Sequence, residues 1–113
     1  MSHISTHILD TTLGQPAVGV PVRLEHRQQG DWQAIGAAQT DADGRCKQIV
    51  PDSIELGPGI YRLAFDTASY FGSQRVSGLY PVVEITFEIR AGEGRFHIPL
   101  LLSPNGFTTY RGS

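Results

Sequence analysis

The chain holds a single cysteine, Cys46, so no disulfide can form within it. A fold built from it needs no oxidising compartment. Charge of either sign is also scarce: nine Lys and Arg stand against eleven Asp and Glu, for a net charge of −2. The basic residues are scattered, and the pI is about 6.0. That balance gives no overall electrostatic footprint for nucleic acid. No apolar run approaches the ~18 residues of a membrane-spanning helix. Met1 leads directly into Ser2-His3-Ile4 without the basic and apolar stretches of a secretory leader, so the expected address is the cytoplasm.

Helix-breaking residues, in contrast, are plentiful. Thirteen Gly and seven Pro are spread through 113 residues rather than gathered in a linker, and the length suits a single domain over 1–113. Both residues interrupt helix interiors, so long helices are excluded. Between the breaks lie short runs rich in Val, Ile, Leu, Phe, Tyr and Thr, the pattern of an all-β sandwich or barrel. Strands are expected at about 4–10, 19–27, 32–40, a short one from Arg45, 59–66, 83–90, 95–102 and 107–111. The clearest is 83–90, where Val83, Ile85, Phe87 and Ile89 alternate with Glu84, Thr86, Glu88 and Arg90. Asp66 or Thr67 can cap a short helix that Gly72 would close. Thr12 to Pro16 reads as a turn, and Asp41-Ala42-Asp43-Gly44 as a tight one. Eight strands and one short helix suggest two four-stranded sheets packed face to face. Leu100-Leu101-Leu102 has no polar face, which fits a strand covered on both sides, the second side by another subunit.

Four histidines carry the chemical interest: His3, His7, His26 and His97. His3 and His7 have the spacing of a helical zinc pair, but on a strand they share a face about 13 Å apart. One zinc ion with bonds near 2.0–2.1 Å cannot bridge that gap. His26, beside Arg27, reads as a solvated residue at a strand end. His97 lies between Phe96 and Ile98 in the most apolar strand. It is either a buried imidazole with a backbone partner or a general base or ligand, since imidazole titrates near neutrality. His7, in Thr6-His7-Ile8, carries the same two readings. Asp41-x-Asp43-Gly44 lacks the glycine and glutamate positions of a calcium loop, so the turn reading holds. Cys46 has no partner motif and reads as a half-buried structural thiol. These residues alone name no substrate.

Three further stretches go beyond this. Ile4-Ser5-Thr6-His7-Ile8-Leu9-Asp10, continued by Gly14-Gln15-Pro16-Ala17 and Val20-Pro21-Val22, resembles the N-terminal signature of the transthyretin-like 5-hydroxyisourate hydrolases. Tyr110-Arg111-Gly112-Ser113 is similar to that family's terminal tetrapeptide, and His97-Ile98-Pro99-Leu100-Leu101 with Ser103-Pro104 to its penultimate strand. The resemblance runs from about residue 4 to residue 113. It implies a transthyretin-like sandwich with one short helix after the fifth strand, and a homotetramer with active sites between dimers. It also implies ring-opening hydrolysis of 5-hydroxyisourate, a product of urate oxidation, with no metal or organic cofactor. Carried over by position, the catalytic residues would be His7, Arg45, His97 and Ser113, and the substrate-binding ones His7, Arg45, Tyr110, Arg111 and Gly112. The alternative is a non-catalytic carrier of an aromatic ligand in the inter-dimer channel. Neither reading calls for nucleic acid or membrane.

Overall fold

A computed structural model describes residues 3–112. Its strands are β1 (His3–Asp10), β2 (Gln15–Pro16), β3 (Pro21–Gln28), β4 (Asp31–Gln39), β5 (Arg45–Cys46), β6 (Gly59–Phe65), β7 (Val83–Ile89), β8 (Arg95–His97), β9 (Leu100–Ser103) and β10 (Gly106–Thr109). One helix, α1 (Thr67–Ser73), follows β6. They form two layers, as the alternating patterns require. One is a four-stranded antiparallel sheet in the order β4-β3-β6-β7. The other is assembled around β1 from six segments, β10, β9, β8, β1, β5 and β2. β8 and β9 follow one another along one side of β1, in parallel register, while β5 and β2 follow one another along the other side, antiparallel. The six segments therefore occupy four lanes.

The period-2 rule explains the layering. Ile4, Thr6, Ile8 and Asp10 of β1 point into the sandwich and are buried, whereas His3, Ser5, His7 and Leu9 face out. Val22 and Leu24 of β3, Tyr61, Leu63 and Phe65 of β6, and Leu100 and Leu102 of β9 pack in the same core. Each such side chain contributes about 1.5–3 kcal/mol by leaving water.

Several boundaries depart from the sequence reading. The expected strand at 95–102 is broken at Ile98-Pro99, because Pro99 has no N–H to donate to a ladder. Leu101 is not enclosed like its neighbours: it faces out, opposite Leu9. Gln15–Pro16, read as part of a turn, pairs with Leu9 and Asp10. The last strand ends at Thr109 rather than 111, and the chain then crosses to His97, which Gly112 meets in an isolated bridge.

The helix begins where expected. Asp66 accepts hydrogen bonds from the Ser69 N–H at 3.1 Å and the Ser69 hydroxyl at 2.7 Å. Gly72 does not close it. Arg75, in the left-handed region at φ 59°, ends it in a Schellman turn, with Val76 N–H bonded to the Phe71 carbonyl and Arg75 N–H to that of Gly72. Tyr70 of this helix donates to Asp10 at 2.8 Å. The Asp10 carboxylate also accepts from the Thr12 and Leu13 N–H groups, so its burial at the end of β1 leaves it paired. Burial, with Asp10 alongside, pushes the Tyr70 phenol up to about 12.

The Asp41–Gly44 turn sets the position of β5. Asp41 Oδ1 accepts from the N–H groups of Asp43 at 2.9 Å and Arg45 at 3.0 Å, which holds its carboxyl below the usual range. Gly44 adopts φ 76°, and a β-carbon there would sit 2.5 Å from the Ile8 carbonyl oxygen. Gly44→Ala is expected to cost about 1–2 kcal/mol from the left-handed backbone alone. Chemical denaturation should show that loss, and the clash with Ile8 should add to it.

Candidate functional site

The site is built on the outward face of β1. On one side β5 sets Arg45 directly opposite His7. On the other, β8 sets His97 directly opposite Ser5. Strand geometry then fixes the spacing. Ser5 and His7 are one repeat apart, about 6.6 Å, and the outer lanes are about 9.6 Å apart. The Cα atoms of Arg45 and His97 are thus separated by about 12 Å. A long guanidinium arm and an imidazole face each other across that distance, with His7 beside the arm.

Arg45 and His97 line a pocket of about 130 Å³ together with His3, Ser5, Thr6, Cys46 and Lys47, and His7 adjoins it beside Arg45 without lining it. A larger depression of about 720 Å³ lies on the face of the other sheet that carries Arg23, among Ala37, Ala38 and Ala64. It holds no histidine. The imidazole of His97 and the guanidinium of Arg45 line the smaller pocket.

The two imidazoles are held differently. His7 Nε2 lies 2.9 Å from the Asp43 carbonyl oxygen. A carbonyl only accepts, so His7 carries a proton on Nε2 and its Nδ1 is the nitrogen left over. His97 Nδ1 lies 2.9 Å from the Ser5 hydroxyl, which can donate or accept. Burial holds the His97 pKa below the ordinary imidazole value, and the neighbouring Arg45 guanidinium and His7 push it the same way. At neutral pH His97 is therefore a neutral imidazole. Arg45 stays cationic, since guanidinium does not deprotonate in proteins.

His7, Arg45 and His97, three of the residues singled out from sequence, are brought together here. Gly112 joins them through the backbone: its N–H donates to the His97 carbonyl at 2.7 Å. A β-carbon on Gly112 would stand 2.6 Å from His97 Cδ2, so only glycine lets the chain pass this close to the ring. Tyr110 and Arg111 lie elsewhere, in a groove of about 270 Å³ shared with Ile85, Phe87, Phe96 and Ile98. Tyr110 is 55% exposed. Arg111 stacks over the Phe96 ring at 4.4 Å and pairs with Glu93 at 3.2 Å. Ser113 lies outside the described residues.

Sequence reasoning passed over Ser5, Lys47 and the place of His3 in the pocket. The signal for Ser5 was present: on a strand it shares the face of His3 and His7. Lys47 shares the side of Arg45 two residues on, but the brevity of β5 hides the alternation. Cys46, expected half-buried, is buried, and loss of solvent pushes its thiol up to about 11. It is no thiolate nucleophile at neutral pH. Among the described residues no group of three or more His, Cys, Asp or Glu could hold a metal ion.

A two-layer β-sandwich with an Arg and His site on one outer face is the class of protein these features define. Comparison with known proteins narrows it. The chain belongs to the HIUase/Transthyretin family, whose sequence model matches residues 4–112. A probable 5-hydroxyisourate hydrolase of Caenorhabditis elegans is 44% identical over 110 residues, spanning 97% of this chain and 81% of that protein. The solved structure of Klebsiella pneumoniae 5-hydroxyisourate hydrolase superposes with a TM-score of 0.87 at 36% identity, covering 100% of both chains. Sea bream transthyretin, solved in complex with thyroxine, superposes with a TM-score of 0.89 at 30% identity, covering 96% of this chain and 93% of that one. The backbone is thus about equally close to a hydrolase and to a transthyretin solved with thyroxine, while the curated relatives at 41–44% identity bear the hydrolase name.

The positive neighbours of His97 make a prediction. Arg45→Gln removes a cation that lowers the His97 pKa, so His97 should titrate at higher pH in that variant. In the wild type it should titrate below the free value of about 6.5. Imidazole NMR shifts followed against pH measure both; an unmoved midpoint would show that Arg45 does not act on His97.

Proposed function

We propose that this chain is a 5-hydroxyisourate hydrolase of urate catabolism, and that His7, Arg45 and His97 carry the reaction. The observation behind the residue assignment is the double register on β1, which sets Arg45 beside His7 and Ser5 beside His97. The substrate comes from the curated relatives, which bear the hydrolase name at 41–44% identity.

The chemistry follows from the groups present. A neutral imidazole takes a proton from water as the water oxygen bonds to a ring carbonyl carbon. Arg45, permanently charged, stabilises the oxyanion that develops on that carbonyl. The tetrahedral intermediate collapses with cleavage of the ring C–N bond, the nitrogen takes up the proton, and the six-membered ring opens to a ureidoimidazoline carboxylate. Lys47, on the same rim, adds positive charge that favours an anionic substrate and product.

The same reading includes a homotetramer in the cytoplasm. Support for the assembly is the outward pair Leu9 and Leu101, next to the site on the same sheet face, with Leu13 and Val18 more than half exposed nearby in the chain. An open pocket of this size leaves a small planar substrate partly wet, and a second copy across that face would cover it. Tyr110 and Arg111 then enter as binding groups contributed across subunits, which suits their place in a groove apart from the pocket of their own chain. The compartment is consistent with a lone thiol that is buried and unpaired with another cysteine. No helix among the described residues is long and apolar enough to cross a membrane.

The test is the ultraviolet decay of 5-hydroxyisourate generated in place by urate oxidase. Wild type should accelerate the decay well beyond the spontaneous rate, and His97→Asn should lose about 10²-fold or more of that acceleration. A folded wild type that leaves the decay unchanged would favour the carrier reading, and a His97→Asn variant with full activity would remove His97 from the mechanism.

A further inference from the structure

Ser5 has no place in the mechanism above, yet it touches the imidazole at the centre of it. Its hydroxyl is half-buried on the outward face of β1, and His97 Nδ1 at 2.9 Å is its partner among the described residues. The contact is fixed by backbone on both sides. Ser5 and His97 are register partners, the Ser5 carbonyl accepts the Ile98 N–H at 3.0 Å, and the His97 carbonyl accepts the Gly112 N–H at 2.7 Å. The ring is therefore held at its backbone, at Nδ1 and by the close passage of Gly112 against Cδ2. His97 Nε2 makes no hydrogen bond to the described residues.

We propose that Ser5 is a positioning residue for His97: its oxygen accepts the Nδ1 proton and so presents Nε2 as the atom that takes a proton from water. This rests on the hydrolase reading. A free neutral imidazole favours the proton on Nε2, which would leave the outward nitrogen unable to act as a base. An acceptor at Nδ1 reverses that preference, because the other ring nitrogen then keeps its lone pair. During attack the water proton goes to Nε2, the water oxygen bonds to the carbonyl carbon, and Nδ1–H stays on Ser5 in both the neutral and the protonated ring. His7 is held the opposite way: the Asp43 carbonyl fixes its proton on Nε2, so its basic nitrogen is Nδ1. The two imidazoles therefore present different nitrogens, and Ser5 determines which one His97 presents.

The test pairs a spectrum with kinetics. In nitrogen NMR spectra of wild type above its His97 midpoint, His97 should be the Nδ1–H tautomer, and Ser5→Ala should convert it toward Nε2–H. In the 5-hydroxyisourate assay Ser5→Ala should lower kcat about tenfold or more with KM within about twofold, and Ser5→Thr should restore most of the loss. Ser5→Cys, whose sulfur is a poor acceptor, should behave like Ser5→Ala and serves if the alanine variant folds badly. An Nε2–H tautomer in wild type, or an unchanged kcat in Ser5→Ala and Ser5→Cys, overturns the proposal. Wild type without hydrolase activity would refute the hydrolase reading instead, and the spectra of wild type and Ser5→Ala would still decide whether Ser5 sets the tautomer.

Discussion

The fold and the site both depend on one strand paired on both sides. β1 lies between two lanes, each broken in the middle: β8 and β9 on one edge, β5 and β2 on the other. Its period of two sends Ile4, Thr6, Ile8 and Asp10 into the core and His3, Ser5, His7 and Leu9 outward. A slip of one residue would exchange the two sets, burying imidazoles and exposing isoleucines. The hydrophobic demand for the right register is therefore also the demand that puts the histidines on the surface. Stability and chemistry are specified by the same pairing.

Secondary constraints hold that register where the lanes break. The Thr6 hydroxyl donates to the Ile98 carbonyl at 2.6 Å, just where Pro99 interrupts the ladder. Asp10 ties the end of β1 to Tyr70 and to the following turn. Asp41 and Gly44 bend the chain so that Arg45 returns beside His7. Each lies where the ladder on β1 ends or is interrupted, and the Asp41–Gly44 turn is what delivers the two-residue strand β5 to its place opposite His7.

Much of this was legible in the sequence, for physical reasons. Alternation in 83–89 gives away a half-buried strand, and the Asp66 cap gives the helix start. The Pro99 break was passed over because six of the eight residues of 95–102 are apolar, which masks the missing N–H. The end of the helix was misplaced because Arg75 takes a left-handed conformation that glycine normally supplies. His7, Arg45 and His97 were found through family resemblance, and they meet because of pairings between residues 38 to 92 apart in the chain. Such register is invisible to local pattern. Tyr110 and Arg111, adjacent to Gly112 in sequence, sit in another groove because the chain leaves the sheet after Thr109.

The backbone alone does not choose between hydrolase and carrier, since it superposes as well on sea bream transthyretin as on the Klebsiella enzyme. The curated relatives, 41–44% identical, bear the hydrolase name. The central claim about the site is that His7 and His97 work as one unit. A double-mutant cycle on 5-hydroxyisourate turnover measures this directly, using His7→Asn, His97→Asn and the pair. Groups that act together in one transition state give strongly non-additive losses. The double variant should fall within about threefold of the poorer single variant. Losses that multiply in full would show two independent residues and contradict a shared catalytic site on β1.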